Sequence, residues 1–359
     1  MTTMTVSVAP ATRPAWRRAL VTGGAGFLGS HLCERLIEAG VGVDCVDDLS
    51  SGSADNVRHL AGHPGFRFLE RDMADPGVPD ALDGAYDLVL HCAGPASPAD
   101  CRDRPLEALD AAALGTRNAL TVAARSGARF LLASAGRPRG EARPSPGDPG
   151  GVRWDSGRGS TGAPESAAPE SAASEDAGGD NEPGGPRAAY GAAGRFAEAL
   201  TAAYAAEHGT DTGIVRLFDT YGPRMRADGP QSIPALAGQA LAGMPVTVED
   251  DGTDSRSLCY VDDVADGVLR VAASRSRRPV DIGGGDETTV QEIARRVIDV
   301  TGSRAGLWFG TARPPDHARP RPDPSRAREL CGWTPRVSWE EGFKRTIAHF
   351  GSPRRDTPG

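Results

Sequence analysis

The sequence predicts an α/β protein: a doubly wound parallel sheet with a smaller C-terminal α/β domain. Three observations predict it. Short apolar runs at 19–21, 41–46, 86–91 and 130–134 alternate with stretches whose apolar residues recur at helical spacing. A glycine-rich turn, TGGAGFLGSH from Thr22 to His31, joins the first run to the first helix. The second run leads directly into Asp47, about 20 residues past the turn, where a carboxylate binds ribose hydroxyls in dinucleotide folds. Strand, turn, helix, strand and acid in this order make the sheet Rossmann-like and make NAD the expected cofactor.

Each part of the turn has a chemical reason. Gly23 allows the sharp bend, Gly26 lets backbone approach a pyrophosphate, and Gly29 lets the helix pack close to the strand. The start of the helix then offers free N–H groups to the phosphates. Asp47 disfavours a 2′-phosphate by charge repulsion, which selects NAD over NADP.

The remaining elements follow in order. A strand is expected at 66–69, a long Ala/Leu-rich helix at 105–126, and an Ala-rich helix at 188–208. Further strands are expected at 213–218, 245–248, 257–261 and 280–282, and helices at 232–243, 264–273 and 289–301. Two C-terminal helices flank Gly332-Trp333-Thr334-Pro335 between 325 and 350. Residues 141–186 are dense in Gly, Pro, Ser, Ala and acids, with a direct APESA repeat, and bury too little to offset ordering entropy. The expected organisation is a tail at 1–16, an NAD-binding domain at 17–140 and 187–215, a disordered insertion at 141–186, a mainly substrate-binding domain at 216–352 whose strands return to the sheet, and a tail at 353–359.

The totals exclude several classes. At net charge −8 the chain has no global affinity for nucleic acid or an anionic membrane, and no apolar run reaches membrane-spanning length. Six cysteines show no metal-ligand spacing and suit a reducing cytoplasm; the seven histidines include a single i,i+4 pair, His59 and His63, broken by Gly62, so no metal is expected. Asp262-Asp263 reads as a solvated turn or helix cap. The basic residues are almost all arginine, and Lys344 is the only lysine.

Six stretches resemble the extended short-chain dehydrogenase/reductase family, in its nucleotide-sugar epimerase/dehydratase branch, and most of all its UDP-glucuronate decarboxylases. They are VTGGAGFLGSHL from Val21, VDDLSSG from Val46, HCAGPASP from His91, GPRAAY from Gly185, RLFDTYGPRM from Arg216 and CGWTPRVSWEEGFKRTI from Cys331. The resemblance covers 18–135 and 185–350. It implies cofactor contacts at Gly23, Gly26, Phe27, Leu28, Gly29, Asp47, Asp48, Ser51, Gly52, Asp72, Met73, Cys92, Ala93, Gly94 and Tyr190. It implies substrate contacts at Pro98, Asp219, Arg224, Glu249 and Arg256. It also implies a nucleotide-sugar substrate, and a homodimer formed through the helices at 105–126 and 188–208.

The resemblance further implies a tyrosine that deprotonates the sugar 4-hydroxyl while hydride moves to NAD. Tyr190 matches that tyrosine, but the family lysine four residues on is Gly194. The strand ending FLLASAGRPRG has Ala135, Gly136 and Arg137 where the family places a hydroxyl, a small polar residue and an acid, and Ala112 stands for a helical asparagine. An unperturbed tyrosine is only about 0.1% phenolate at pH 7, a deficit of about 4 kcal/mol. Arg137 and Arg139 are therefore catalytic candidates beside Tyr190. Three readings follow: an NAD-dependent sugar-nucleotide enzyme with altered chemistry, a catalytically silent homologue serving as a partner subunit, and a non-redox lyase or isomerase.

Overall fold

The computed structural model describes residues 16–95, 97–136, 186–227, 232–310 and 321–351. A seven-stranded, all-parallel sheet forms the body. Its strands are β1 (Arg18–Thr22), β2 (Gly42–Asp47), β3 (Phe66–Glu70), β4 (Leu88–His91), β5 (Arg129–Ala135) and β6 (Thr212–Leu217), with β11 (Val280–Ile282) at the far edge. The spatial order is β11-β6-β5-β4-β1-β2-β3, so the order reverses beside β1, where such sheets open a ligand crevice.

Helices cover both faces. On one side α1 (Phe27–Glu38) and α8 (Val261–Ser274) bury Leu32, Leu36, Val264 and Val268. On the other lie α2 (Val78–Ala81), α5 (Thr116–Ser126) and α6 (Pro186–His208). The core there includes Leu120, Phe130 and Ala197. Two short helices, α3 (Pro98–Asp103) and α4 (Pro105–Asp110), lead into α5.

A second core belongs to the C-terminal lobe. It packs α7 (Ile233–Leu241), α9 (Val290–Thr301) and α11 (Trp339–Gly351) around β8 (Val246–Val248) and β13 (Leu307–Phe309), with Leu236, Ile293 and Phe343 buried. Small two-residue ladders complete it: β7 (Thr220–Tyr221) with β10 (Cys259–Tyr260), and β9 (Ser255–Arg256) with β12 (Thr288–Thr289). The last helix pair is α10 (Ser325–Cys331) and α11. Trp333 between them is fully buried and donates its indole N–H to the Asp263 carbonyl at 2.9 Å.

Several expectations change. Trp16 packs against the sheet core, so the N-terminal tail ends before it; residues 1–15, the low-complexity segment and the C-terminal tail lie outside the described residues. The helix expected without a break over 105–126 opens into a π-turn at Ala111–Gly115. The first helix starts at Phe27, taking in the end of the glycine turn. The strand expected over 257–261 shrinks to two residues because Val261 already begins α8. Asp263 is buried rather than solvated: its Oδ2 accepts the N–H groups of Arg336 and Val337, both at 2.8 Å, and ties the C-terminal segment to α8.

Candidate active site

The glycine turn sits at the C-terminal ends of β1, β2 and β4. Gly23 has φ +66°, and a Cβ there would lie 2.7 Å from the Ala93 nitrogen. A Cβ on Gly29 would lie 2.1 Å from the Gly23 carbonyl oxygen, so α1 packs this tightly only without a side chain. Gly26 caps α1 with no side-chain hydrogen bond, and the first turn carries no acid. The helix thus begins with uncompensated N–H groups and a positive dipole end, which fits a pyrophosphate.

Asp47 closes β2 as a buried carboxylate. Its Oδ2 accepts the Ala25 N–H at 2.9 Å and its Oδ1 the Leu49 N–H at 2.8 Å. Burial raises its pKa, and the N–H bonds partly oppose that. Gly52 folds back over it: a Cβ there would stand 2.7 Å from Asp47 Oδ1. Asp48 and Ser51 lie in the same loop. Asp72 is exposed and accepts the Ala74 N–H, whereas Met73 is buried against Leu20 and Val46. Asn118 holds that turn by donating to the Met73 and Asp75 carbonyls. Cys92, Ala93 and Gly94 extend β4 on the other side of the turn, and burial pushes the Cys92 thiol up to about 12. Cradle, acid and open helix end fit a dinucleotide: Gly23, Gly26 and the Phe27–Gly29 backbone would hold the pyrophosphate and Asp47 the ribose.

Tyr190 stands half-buried near the start of α6. Burial, then Cys101, Asp100 and Asp219, push its phenol up to about 12. Among the described residues, none of the groups acting on it is a cation. At pH 7 such a phenol is ionised at a cost of about 7 kcal/mol. Gly194, one turn further along, faces the sheet: a Cβ there would meet only Ser134 Oγ, at 3.7 Å. Ser134 itself is buried and donates to Glu198 Oε1 at 2.9 Å. Arg195 is exposed, with its guanidinium folded back beside Gly191. Arg137 and Arg139 lie outside the described residues.

The expected substrate residues separate. Pro98 opens α3, which packs on α6 beside Tyr190. Asp219 is half-buried next to the β7–β10 ladder, where its carbonyl accepts the Cys259 N–H at 2.9 Å. Arg256 lies on β9 and Glu249 just past β8, both half-buried. Arg224 is drawn away to α1: its Nη2 donates to Glu34 Oε2 at 2.8 Å, from a backbone at φ +69°. Nearby, His31 bonds the Pro223 carbonyl at 3.1 Å.

Three arrangements escaped sequence reading. A buried chain runs from Thr22 through His91 to Thr116, at 2.6 and 3.1 Å, beneath the turn. Ser134, Glu198 and Arg216 form a second network. Arg104 and Arg226 grip the loop after Asp47. Thr22, His91, Ser134 and Arg216 lie inside quoted stretches, but the bonds that join them link residues distant in sequence.

The sheet order, the glycine cradle and Asp47 define a Rossmann-type, dinucleotide-binding protein. The chain belongs to the NAD dependent epimerase/dehydratase family, whose profile matches residues 19–152 and 159–283. It is 34% identical to UDP-glucuronic acid decarboxylase 1 of Danio rerio over 93% of this chain and 72% of that protein. It is 33% identical to UDP-glucuronic acid decarboxylase 3 of Arabidopsis thaliana over 91% and 86%. Among solved structures it matches the UDP-glucose 4-epimerase of Thermotoga maritima with UDP-glucose, at TM-score 0.73 and 28% identity over 93% and 98% of the two chains. It also matches the Thermus thermophilus UDP-glucose 4-epimerase in complex with NAD, at TM-score 0.72 and 27% identity over 93% and 98%. The cofactor is NAD. Among the described residues no group of three His, Cys, Asp or Glu could hold a metal ion, and no helix is long and apolar enough to cross a membrane.

Proposed function

We propose that this chain holds NAD in the cleft and modifies a nucleotide-linked sugar by transient oxidation at C4, with altered chemistry around Tyr190. The observation that carries the altered chemistry is the burial of Tyr190 within the field of Asp100 and Asp219, while Gly194 occupies the place of a cation. NAD, when bound, accepts and returns a hydride. Tyr190 exchanges the proton of the sugar hydroxyl, and its ionisation draws on the cofactor's positive charge because no lysine stands at 194. Asp48, Ser51, Gly52, Asp72 and Met73 face the adenosine end, and Cys92, Ala93 and Gly94 the nicotinamide end. Pro98, Asp219, Glu249 and Arg256 line the sugar nucleotide, and Arg224 supports the lobe through Glu34. Arg137 and Arg139 are the sequence's candidates for supplying charge. The six free cysteines suit a cytoplasmic setting.

The same electrostatics favour a second reading, a silent homologue that binds NAD and serves as a partner subunit. Either way the chain pairs with a second copy. An apolar groove of about 270 Å³ lies between the α4–π-turn segment and α6, lined by Leu109, Ala112, Ala113, Ala192, Ala193 and Phe196, with Leu106 and Leu114 exposed beside it.

The deciding experiment releases bound nucleotide by denaturation, separates NAD from NADH, and follows UDP-glucuronate and other sugar nucleotides by NMR. Turnover abolished in Tyr190→Phe supports the enzyme and removes the silent reading; bound NAD without turnover of any sugar nucleotide does the reverse. Combining Ala135→Thr, Arg137→Glu and Gly194→Lys should raise turnover if only the catalytic set has been lost.

A further inference from the structure

The loop after Asp47 is held from two directions. Arg104, at the α3–α4 corner, donates through Nη2 to the Ser50 carbonyl at 2.8 Å. Arg226, from the substrate-side segment after β7, donates through Nη1 to the Ser51 carbonyl at 3.3 Å. The other end of the same guanidinium, Nη2, lies 2.7 Å from Asp100 Oδ1. Asp100 in turn closes the capping box of α3, where its Oδ2 accepts the Ser97 N–H at 3.0 Å. One side chain thus spans three pieces: its own substrate-side segment, the loop whose Gly52 is pressed on Asp47, and the short helix packed against the start of α6.

We propose that Arg226 is a positioning residue that clasps the substrate-side segment onto the loop after Asp47 and onto α3, so that retention of NAD is coupled to closure of the cleft beside Tyr190. The proposal rests on NAD lying against Asp47, as argued above. A guanidinium suits the task because its planar fork sends donors in two fixed directions, one to a carbonyl and one to a carboxylate. An ammonium presents its three donors from a single nitrogen, without that fixed fork. Asp100 is largely buried while Arg226 is one-third exposed, so the pair is only partly screened by solvent. Losing the clasp frees the loop on Asp47 at one end only, since Arg104 still holds Ser50. The effect is therefore a weakened site rather than an unfolded protein.

The test uses the full chain and NAD itself as the probe. In Arg226→Ala, NAD should bind about tenfold more weakly, the scale of one lost charge-assisted bond. Arg226→Lys should recover part of that loss, and the unfolding midpoint should move little. Backbone amides of 48–53 should exchange faster in Arg226→Ala even without cofactor. Asp100→Asn should weaken NAD binding too, and the Arg226→Ala/Asp100→Asn double variant should be no weaker than the worse single variant. NAD affinity and loop exchange both unchanged in Arg226→Ala would overturn the clasp, as would fully additive effects of the two substitutions. A wild-type protein that fails to bind NAD defeats the cofactor assignment instead, and amide exchange then decides the clasp by itself.

Discussion

Arg216 on β6 holds Glu198 on α6 in a two-point ion pair, Nε to Oε1 at 3.0 Å and Nη2 to Oε2 at 2.7 Å. Ser134 adds a third bond to the same carboxylate, so the helix carrying Tyr190 is pinned to two neighbouring strands. Removing one partner strands a buried charge. Glu198→Ala and Arg216→Ala should each destabilise the fold by about 3 kcal/mol. Urea unfolding monitored by circular dichroism measures it, and a change under 1 kcal/mol would mean that water compensates the orphaned group.

Gly29 faces the tightest contact in the cofactor turn. Gly29→Ala places a methyl 2.1 Å from the Gly23 carbonyl oxygen, on rigid backbone that has no side chain to move aside. The strain should cost about 1–3 kcal/mol and open the turn. The expected result is loss of NAD binding by calorimetry in a protein that still folds. The neighbouring Gly40→Ala offers a control, because a Cβ there meets nothing, though its φ of +80° carries a backbone cost.

Two buried histidines set an acid limit. Burial lowers both His31 and His91 to about 4, from an ordinary value of 6.5. The unfolded chain therefore binds protons that the folded chain refuses between those values. Stability is full above pH 6.5 and falls as pH drops toward 4, by about 3 kcal/mol for each histidine. Glu34 and Asp44, both held below their ordinary values in the folded chain by arginine neighbours, add losses of the same sign at lower pH. Urea midpoints at pH 7.5 and pH 5 test this; His91→Gln should flatten part of the slope.

The groove between α4 and α6 predicts an assembly. Leu109→Glu with Phe196→Glu puts two charges into the apolar surface on which we propose that a second copy docks. Sedimentation velocity should show a dimer for the wild type and a monomer for the double variant. Identical sedimentation of the two proteins would exclude this groove as the interface.

What was legible in the sequence was contiguous. The cradle from Gly23 to Gly29 and the acid at the end of β2 are local patterns, because a tight turn and a helix start depend on residues a few positions apart. Tyr190 was singled out for the same reason, from the run that leads into it. The π-turn at Ala111–Gly115 was not: the run holds no proline, and a single glycine, Gly115, does not by itself tell a π-turn from ordinary helix, so packing decides it. Arg224 was matched by its motif, yet Glu34, 190 positions earlier, takes its guanidinium.

By itself, the sequence determined the sheet-and-helix alternation, the NAD cradle and the absence of a lysine at 194, because these follow from local periodicity, glycine placement and residue identity. Only the tertiary structure decided the surroundings of Tyr190. Asp100 and Asp219 lie 90 and 29 positions from it in the chain, and the field of a charge depends on distance through space, which only folding sets.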